Sequence, residues 1–535
     1  RRAKPMTKRL IIVLTLALTV ALPFLLRPER RATERADETL IVITPHNEAI
    51  RHEFGAAFRR WYRAKTGRSI AVDWRVIGGT SEIARFLQSE YVASFRHHWT
   101  RVLGRSWSAD VQNGFTHPRL AADSPVEARE ARAAFLASKV GCGIDVFFGG
   151  GPYDFIAQAE AGRIVPAELA ARQPQLLTEQ VIPHRFAGEQ YWDQQGRWFG
   201  NVLSSYGILS NRDALRRLGI AEPPSTWRAL TDPRLLGQVA LADPTKSSSI
   251  AKAFENVIQQ EIQQRIAAGD AEPEAVRAGW RAGLQVLQLM GANARYFTDS
   301  SQKPPIDVAQ GDCAAGVCID FYGRSQAEVT GNRAGEPRLV FVTPRGGTVS
   351  SVDPIAILRG APNRNAAEAF LEFTLSMEGQ KLWTFRPGTE GGPERFALRL
   401  LPVRRDFYEQ QDWLPLRSDP EAAPYGGDGR LVYRPEFTER VFRELAFVIR
   451  VMTLDTHREL VAAWRAIQTA PEPAKNRALE RLQDLSAVSY DQANGAIKRA
   501  LTSKHRVDEI TLARELGTWF RANYAEAERL ARAGN

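Results

Sequence analysis

Three consecutive serines, Ser247, Ser248 and Ser249, stand in the segment DPTKSSSIAKAFENVI, just ahead of a run in which Ile250, Ala253, Phe254, Val257 and Ile258 recur at helical spacing. One serine suffices to cap a helix. The first turn of a helix leaves about four backbone N–H groups without intrahelical partners, and with the axial dipole they form a small positive site that suits an anion. The two spare hydroxyls therefore belong either to a solvated loop or to the floor of a binding site. Similar groups stand in three other stretches: TPHNE (Thr44 to Glu48) with His46 and Asn47, GGTS (Gly78 to Ser81) with Gly79, Thr80 and Ser81, and GGGPY (Gly149 to Tyr153) with Gly150 and Gly151. A phenol, Tyr322, follows the apolar run GVCID.

These residues lack the company that catalysis requires. The sequence contains no G-x-S-x-G elbow, no H-E-x-x-H, no phosphate-loop G-x-x-x-x-G-K-[ST] and no G-x-G-x-x-G after a strand. No Cys/His set has zinc-site spacing, and the adjacent His97 and His98 suit a surface as well as a metal. Cys313 and Cys318 either pair or stand as two buried thiols, and Cys142 has no obvious partner. The expectation is a binding protein, not an enzyme, with no resident cofactor. A serine acting with His46 as nucleophile and base keeps a hydrolase as the enzymatic alternative.

The elements that must position these groups alternate between strand and helix. LIVI is a short apolar strand, and the following helix shows Ile50, Phe54, Ala57, Phe58 and Trp61 on one face. IAVDWRV is a second strand leading into GGTS and a second helix, and IDVFF is a third leading into GGGPY. The second half repeats the logic, with VLSSYGILSN, VALA ahead of DPTKSSS, and GVCID ahead of Tyr322. Parallel α/β sheets bind ligands where strand ends give way to helix N-termini, so two such units with facing loops predict a cleft. The stretch from Tyr91 to Lys139 is a polar insertion of unassigned structure.

At 535 residues the chain is long enough for two or three domains. Its net charge of +10 is scattered along helices rather than gathered into a basic tract, which argues against nucleic acid. The N-terminal segment has basic residues on both sides of an uncharged stretch from Leu10 to Leu26. That pattern predicts an export signal or an inner-membrane anchor with the body outside. A membrane-anchored sensor is a further alternative on this ground.

Several stretches in order, VITPHNEAIRHEFGAAF, GIDVFFGGGPYDF, RWFGNVLSSYGILSNRDALRRLGI, PPSTWRALTDPRLLGQVALADPTKSSS, GVCIDFYGRSQ and SVDPIAILRGAPNRNAAEAFLEFTLSMEGQKLW, carry a resemblance. From about Leu40 to Tyr408 the chain resembles the periplasmic solute-binding proteins of ABC transporters, in the branch that binds ferric iron and organophosphates. The resemblance implies a two-lobed type II, Venus-flytrap α/β fold that closes on its ligand. It places a leader at 1–36, lobe one at 37–202 and 350–395, lobe two at 203–349 and 396–438, and a helical C-terminal extension at 439–535. Asn363 to Phe385 becomes a helix of lobe one.

It further implies a hinge near Ser204 and Ser205, which either face the ligand or merely tolerate the bend, and a return near Val349 to Pro354. A periplasmic location and a permease with its ATPase as partners follow from the same likeness. The loop DPTKSSS would supply amides and hydroxyls to an anion, phosphate-bearing or organic. Ferric iron is the alternative ligand, with His46 and Tyr322 as its protein ligands. Against it, Phe321 and Gly323 flank Tyr322 where such binders carry a tyrosine pair.

Overall fold

The computed structural model describes residues 14–19, 22, 36–333, 335–426, 430–503 and 505–533. Most of the Leu10 to Leu26 stretch lies outside the described residues. Among those described, no helix is long and apolar enough to cross a membrane.

Strand β1, Glu38–Ile43, runs parallel to β2, Ile70–Arg75, and to β3, Val146–Phe148. Helix α1, Glu48–Thr66, joins the first two. The Asn47 side chain caps its start, and Gly67, at φ 73°, ends it in the left-handed conformation that glycine adopts without a Cβ penalty. Helix α2, Thr80–His97, follows β2, and α3, Pro152–Glu160, follows β3. These are the three strand-to-helix turns expected from TPHNE, GGTS and GGGPY.

The chain continues through β4, Trp198–Ser204, into β5, Tyr206–Asn211, and β6, Val239–Ala242. Helices α4, Ser248–Ala267, and α5, Glu272–Asn293, lead to β7, Ala294–Thr298. Next come β8, Ala315–Ile319, α6, Asp320–Thr330, and β9, Leu339–Val342. Strand β10, Ser351–Leu358, helix α7, Arg364–Leu375, and β11, Leu401–Pro402, close the α/β part.

Two mixed sheets result. The first has the order β11-β4-β10-β3-β1-β2, with Ile164–Val165 added against β10, and the second has the order β7-β6-β8-β5-β9. The first core is aromatic: Phe54 meets Trp383 at a centroid distance of 4.2 Å, and Phe58 meets Phe370 at 4.9 Å. The segment expected as one helix is two, because Ser376 ends α7 in extended backbone and caps Met377–Thr384 by accepting from Gly379 N.

The insertion from Tyr91 to Lys139 is helical. Phe95, Trp99, Phe115 and Phe135 are buried in it, with Phe95 and Phe115 stacked at 4.8 Å. Cys313 and Cys318 are buried free thiols, and Cys142 is free as well.

Leu401–Pro402, which the sequence reading assigned to lobe two, pairs with Leu203 and Val202 of the first sheet. Ahead of it, the buried Glu53 carboxylate of α1 accepts from the N–H groups of Glu394, Arg395 and Phe396 at 2.6–2.9 Å. Farther on, the chain crosses to the second lobe, where Gln259 of α4 donates to the Arg434 carbonyl at 2.8 Å and to the Thr438 hydroxyl at 2.7 Å. The stretches 394–402 and 434–438 thus tie to the first and second lobes respectively.

The C-terminal extension is helical and includes α8, Phe442–Ile449, α9, His457–Thr469, α10, Glu472–Leu482, and α11, Arg506–Arg532. It packs on α5 of the second lobe. Trp280 donates to the Val488 carbonyl at 2.9 Å, and Trp464 donates to Asn293 at 3.0 Å.

Candidate functional site

The two sheets exchange strands at the hinge. Strand β4 ends at Ser204, Ser205 alone intervenes, and β5 begins in the other sheet, while residues 343–350 return the chain to β10 beside β4. Both hinge serines spend their hydroxyls on carboxylates: Ser204 donates to Asp353 at 3.3 Å and Ser205 to Asp320 at 3.1 Å. Neither lines the cleft.

Between the lobes lies a cavity of about 370 Å³. His46, Asn47, Gly79, Thr80 and Gly150 face it from the first lobe; Ser247, Ser249 and Tyr322 face it from the second. Ser81, Gly151 and Ser248 are placed elsewhere, in the adjoining spaces around Tyr153. The lining also includes Lys246, Asp299 and Asp353, which the sequence reading did not single out. Asp353 had a signal: it is a charged residue within the otherwise apolar strand SVDPIAIL, where a carboxylate needs a reason.

His46 sits at the end of β1 at 6% exposure, its ring edge-on to Phe148 at 4.6 Å. Neither ring nitrogen has a hydrogen-bond partner, and Nε2 lies 3.6 Å from Asp353 Oδ2. No serine hydroxyl is paired with the imidazole. Gly149 and Gly150 make the close approach possible. Their φ angles are 89° and 122°, and a Cβ would overlap His46 at the first and Thr80 at the second.

Four helix N-termini meet at this cavity. Asn47 caps α1, Gly79 caps α2, Ser247 caps α4, and α6 begins at Asp320 beside Tyr322. Ser247 accepts from Ile250 N at 3.4 Å, so it is the capping serine, and Ser248 and Ser249 are the spare ones. The Glu82 carboxylate accepts from Gly79 N at 3.1 Å and the Glu82 N–H donates to the Gly79 carbonyl at 3.0 Å, which leaves the first-turn N–H groups of Thr80 and Ser81 for a ligand. Burial raises the Tyr322 phenol above its ordinary range, and the Asp353 carboxylate adds to the rise. The arrangement can hold an anion on helix N-termini and serines, with Tyr322 as a hydrogen-bond donor and Asp353 as an acceptor for a ligand hydroxyl. Among the described residues no group of three or more His, Cys, Asp and Glu could hold a metal ion.

Ser248 turns away toward Asp154 of α3, a buried carboxyl. Burial raises the Asp154 pKa to about 6, although the Ser248 hydroxyl and Arg85 pull it down. A carboxyl raised in the fold contributes stability that is full below its unfolded pKa near 4 and is lost as pH rises through about 6. The loss is on the order of 3 kcal/mol. Asp154→Asn should therefore be more stable than the natural protein at pH 8, with the gap closing by pH 4. Denaturant titrations at both pH values check this; an equal gap at both contradicts it.

Two α/β lobes joined by crossover strands, with helix N-termini facing across the gap, define the type II class of two-lobed ligand-binding folds. Within this architecture, residues 169–387 match the model of the family described as bacterial extracellular solute-binding protein. An uncharacterized protein of Haemophilus influenzae is 31% identical over 244 residues, 44% of this chain and 60% of that one. The phosphoglycerate transport regulatory protein PgtC of Salmonella typhimurium is 24% identical over 295 residues, 55% of this chain and 63% of that one. The chain thus spans about three fifths of the length of the curated relatives it matches. Among solved structures, the periplasmic binding protein AfuA from Actinobacillus pleuropneumoniae, with exogenous fructose-6-phosphate bound, aligns with a TM-score of 0.44 at 18% identity, covering 71% of this chain and 99% of that one.

Proposed function

We propose that the protein is the substrate-binding receptor of an ABC importer and captures a small anion, phosphate-bearing or organic, in the interlobe cleft. The observation that carries this reading is the meeting of the N-termini of α1, α2 and α4 at one cavity, with Thr80, Ser247 and Ser249 among its walls. First-turn amides and hydroxyls at such ends favour negative charge without requiring a fixed cation. In this reading the body of the protein works outside the cytoplasmic membrane and delivers its ligand to a permease with an attached ATPase. Fractionation should find it in the periplasm or on the outer face of the inner membrane; a cytoplasmic pool contradicts the location.

Ferric iron is the second reading, because His46, Asp353 and Tyr322 line the same cavity. Against it, Tyr322 is flanked by Phe321 and Gly323, so the site offers one phenol, and burial disfavours its ionised form. Metal-stripped protein titrated with ferric citrate, and in parallel with phosphorylated three-carbon and six-carbon compounds by calorimetry, separates the two. Anion binding that weakens at least tenfold in Ser247→Ala/Ser249→Ala supports the first. A visible tyrosinate–iron band lost in Tyr322→Phe, with no heat from the phosphates, supports iron instead. The bound anion at about 100 times its Kd should stabilise the fold by about 2.7 kcal/mol. Solution scattering should show compaction; no compaction with a ligand shown to bind contradicts closure.

A further inference from the structure

Beside the cleft lies a second cavity of about 400 Å³, a size suited to a small molecule. Three bodies build it: the first lobe through Ser81, Arg85 and Asp154, the second through Pro244, Thr245, Lys246 and Ser248, and the C-terminal extension through Arg443, Arg450 and Glu509. The two lobes come close between this cavity and the cleft, where a Cβ placed on Gly79 would stand only 2.8 Å from the Lys246 carbonyl oxygen, and Lys246 itself lines both spaces.

The charged part of the lining is mostly basic, set among apolar residues that include Phe442, Phe447 and Leu501. Arg85, Lys246, Arg443 and Arg450 face Asp154 and Glu509. Three of the cations are shared with carboxylates: Lys246 with Asp299 at 2.6 Å, Arg443 with Glu509 at 3.2 Å, and Arg450 with Asp455 at 3.4 Å. The Lys246, Arg443 and Arg450 side chains nevertheless keep 28–50% exposure. Surface pairs of this kind contribute little and exchange readily for a better anion.

Two further observations point to a ligand. Ser248 and Asp154, only 5% and 7% exposed, face each other in the cavity wall, near enough for the hydroxyl to draw the carboxyl down, yet neither Ser248 Oγ nor Asp154 Oδ2 makes a hydrogen bond of good geometry. Buried polar atoms of this sort are ordinarily satisfied. Ser248 is also the first residue of α4, so the unpaired amides of that helix open beside its hydroxyl. On the far wall, Arg450 begins a π-helical turn, Arg450–Leu454, a local deviation that recurs at functional sites.

We infer that this cavity is a second ligand site, distinct from the interlobe cleft, and that it takes a small molecule bearing two or more phosphate or carboxylate groups. Arg85 of the first lobe and Arg443 of the extension meet its charges, and Ser248 supplies a hydroxyl and a helix N-terminus. Because the walls belong to both lobes and to the extension, an occupant joins all three.

The test is calorimetry of the full chain with inorganic pyrophosphate and with citrate, which separate phosphate from carboxylate chemistry. The expected result is binding of at least one probe that weakens tenfold or more in Arg85→Gln/Arg443→Gln and in Ser248→Ala. Arg477→Gln, an exposed arginine of the extension outside the lining, controls for overall charge and should leave that binding unchanged. Arg85 and Arg443 are solvent-exposed, so both variants fold, and unliganded melting curves verify it. Equal loss in Arg477→Gln, or no binding of either probe, overturns the second site. Loss in Tyr322→Phe with none in Arg85→Gln/Arg443→Gln assigns the anion to the cleft, which overturns the second site and leaves the cleft reading standing.

Discussion

Lys252→Met should destabilise the protein by about 3–5 kcal/mol, the cost of leaving buried charge without its partner. The Lys252 ammonium lies 2.7 Å from Glu189 Oε1 and 2.9 Å from Glu255 Oε2, and it sits 3.4 Å from the centre of the Tyr433 ring. Both glutamates are buried. Glu255 also accepts from Tyr433 at 2.9 Å and from Thr438 at 2.5 Å, which hold its carboxylate in place. Burial lowers the Lys252 pKa, but Glu189 and Glu255 together outweigh it and raise the net value; burial raises Glu189 in turn, with Lys252 drawing it back.

Without the ammonium the Glu189 carboxyl, which burial already raises, would take up a proton on folding. Its folded pKa then exceeds the unfolded one, so the variant is nearest to the natural protein at acid pH and falls away as pH rises. Urea titrations at pH 5 and pH 8 check the size and the sign, and Lys252→Met/Glu189→Gln should recover part of the loss. A deficit under 1 kcal/mol at pH 8, or one that grows toward pH 5, contradicts the account.

Gly149→Ala should cost about 2–5 kcal/mol and remove ligand binding in the cleft. The left-handed φ of 89° costs an ordinary residue about 1–2 kcal/mol. The added methyl group meets the His46 ring, which cannot retreat because Phe148 and Trp383 stand against it. Overpacking of that kind adds about 1–3 kcal/mol. Gly67→Ala serves as the comparison, since Gly67 also has positive φ, 73°, but nothing stands within 4 Å of its added Cβ. It should lose only the conformational part and keep its binding. Binding retained in Gly149→Ala would show that the His46 position does not matter to the ligand.

Much of this arrangement was legible because it rests on local pattern. Strand ends followed by small polar residues and an amphipathic run are physical signatures of a helix N-terminus, so His46, Thr80, Gly150 and Ser249 could be placed near a cleft without coordinates. Side-chain direction was harder to read. Ser248 and Ser249 are neighbours in sequence, yet successive helical residues diverge by about 100°, so one faces the cleft and the other faces Asp154.

Asp353 was missed because its importance arises from pairing across the sheet, which puts β10 beside β4 and brings the carboxylate to Ser204 and His46. The assignment of 396–438 to lobe two missed the single ladder that ties Leu401–Pro402 to β4. Two residues of strand leave almost no periodicity to read.

Strand β10 lies in the middle of the first sheet, hydrogen-bonded to β3 on one side and β4 on the other. It is nevertheless made after every strand of the second sheet, whose members all fall between Tyr206 and Val342. As the chain emerges, the second lobe can therefore assemble from one continuous stretch while the first waits as two separate pieces. Until Ser351–Leu358 arrives, β3 and β4 each present an open edge, and unpaired strand edges are what chaperones and aggregation both recognise. The lobe that begins the sequence is the lobe that finishes folding last.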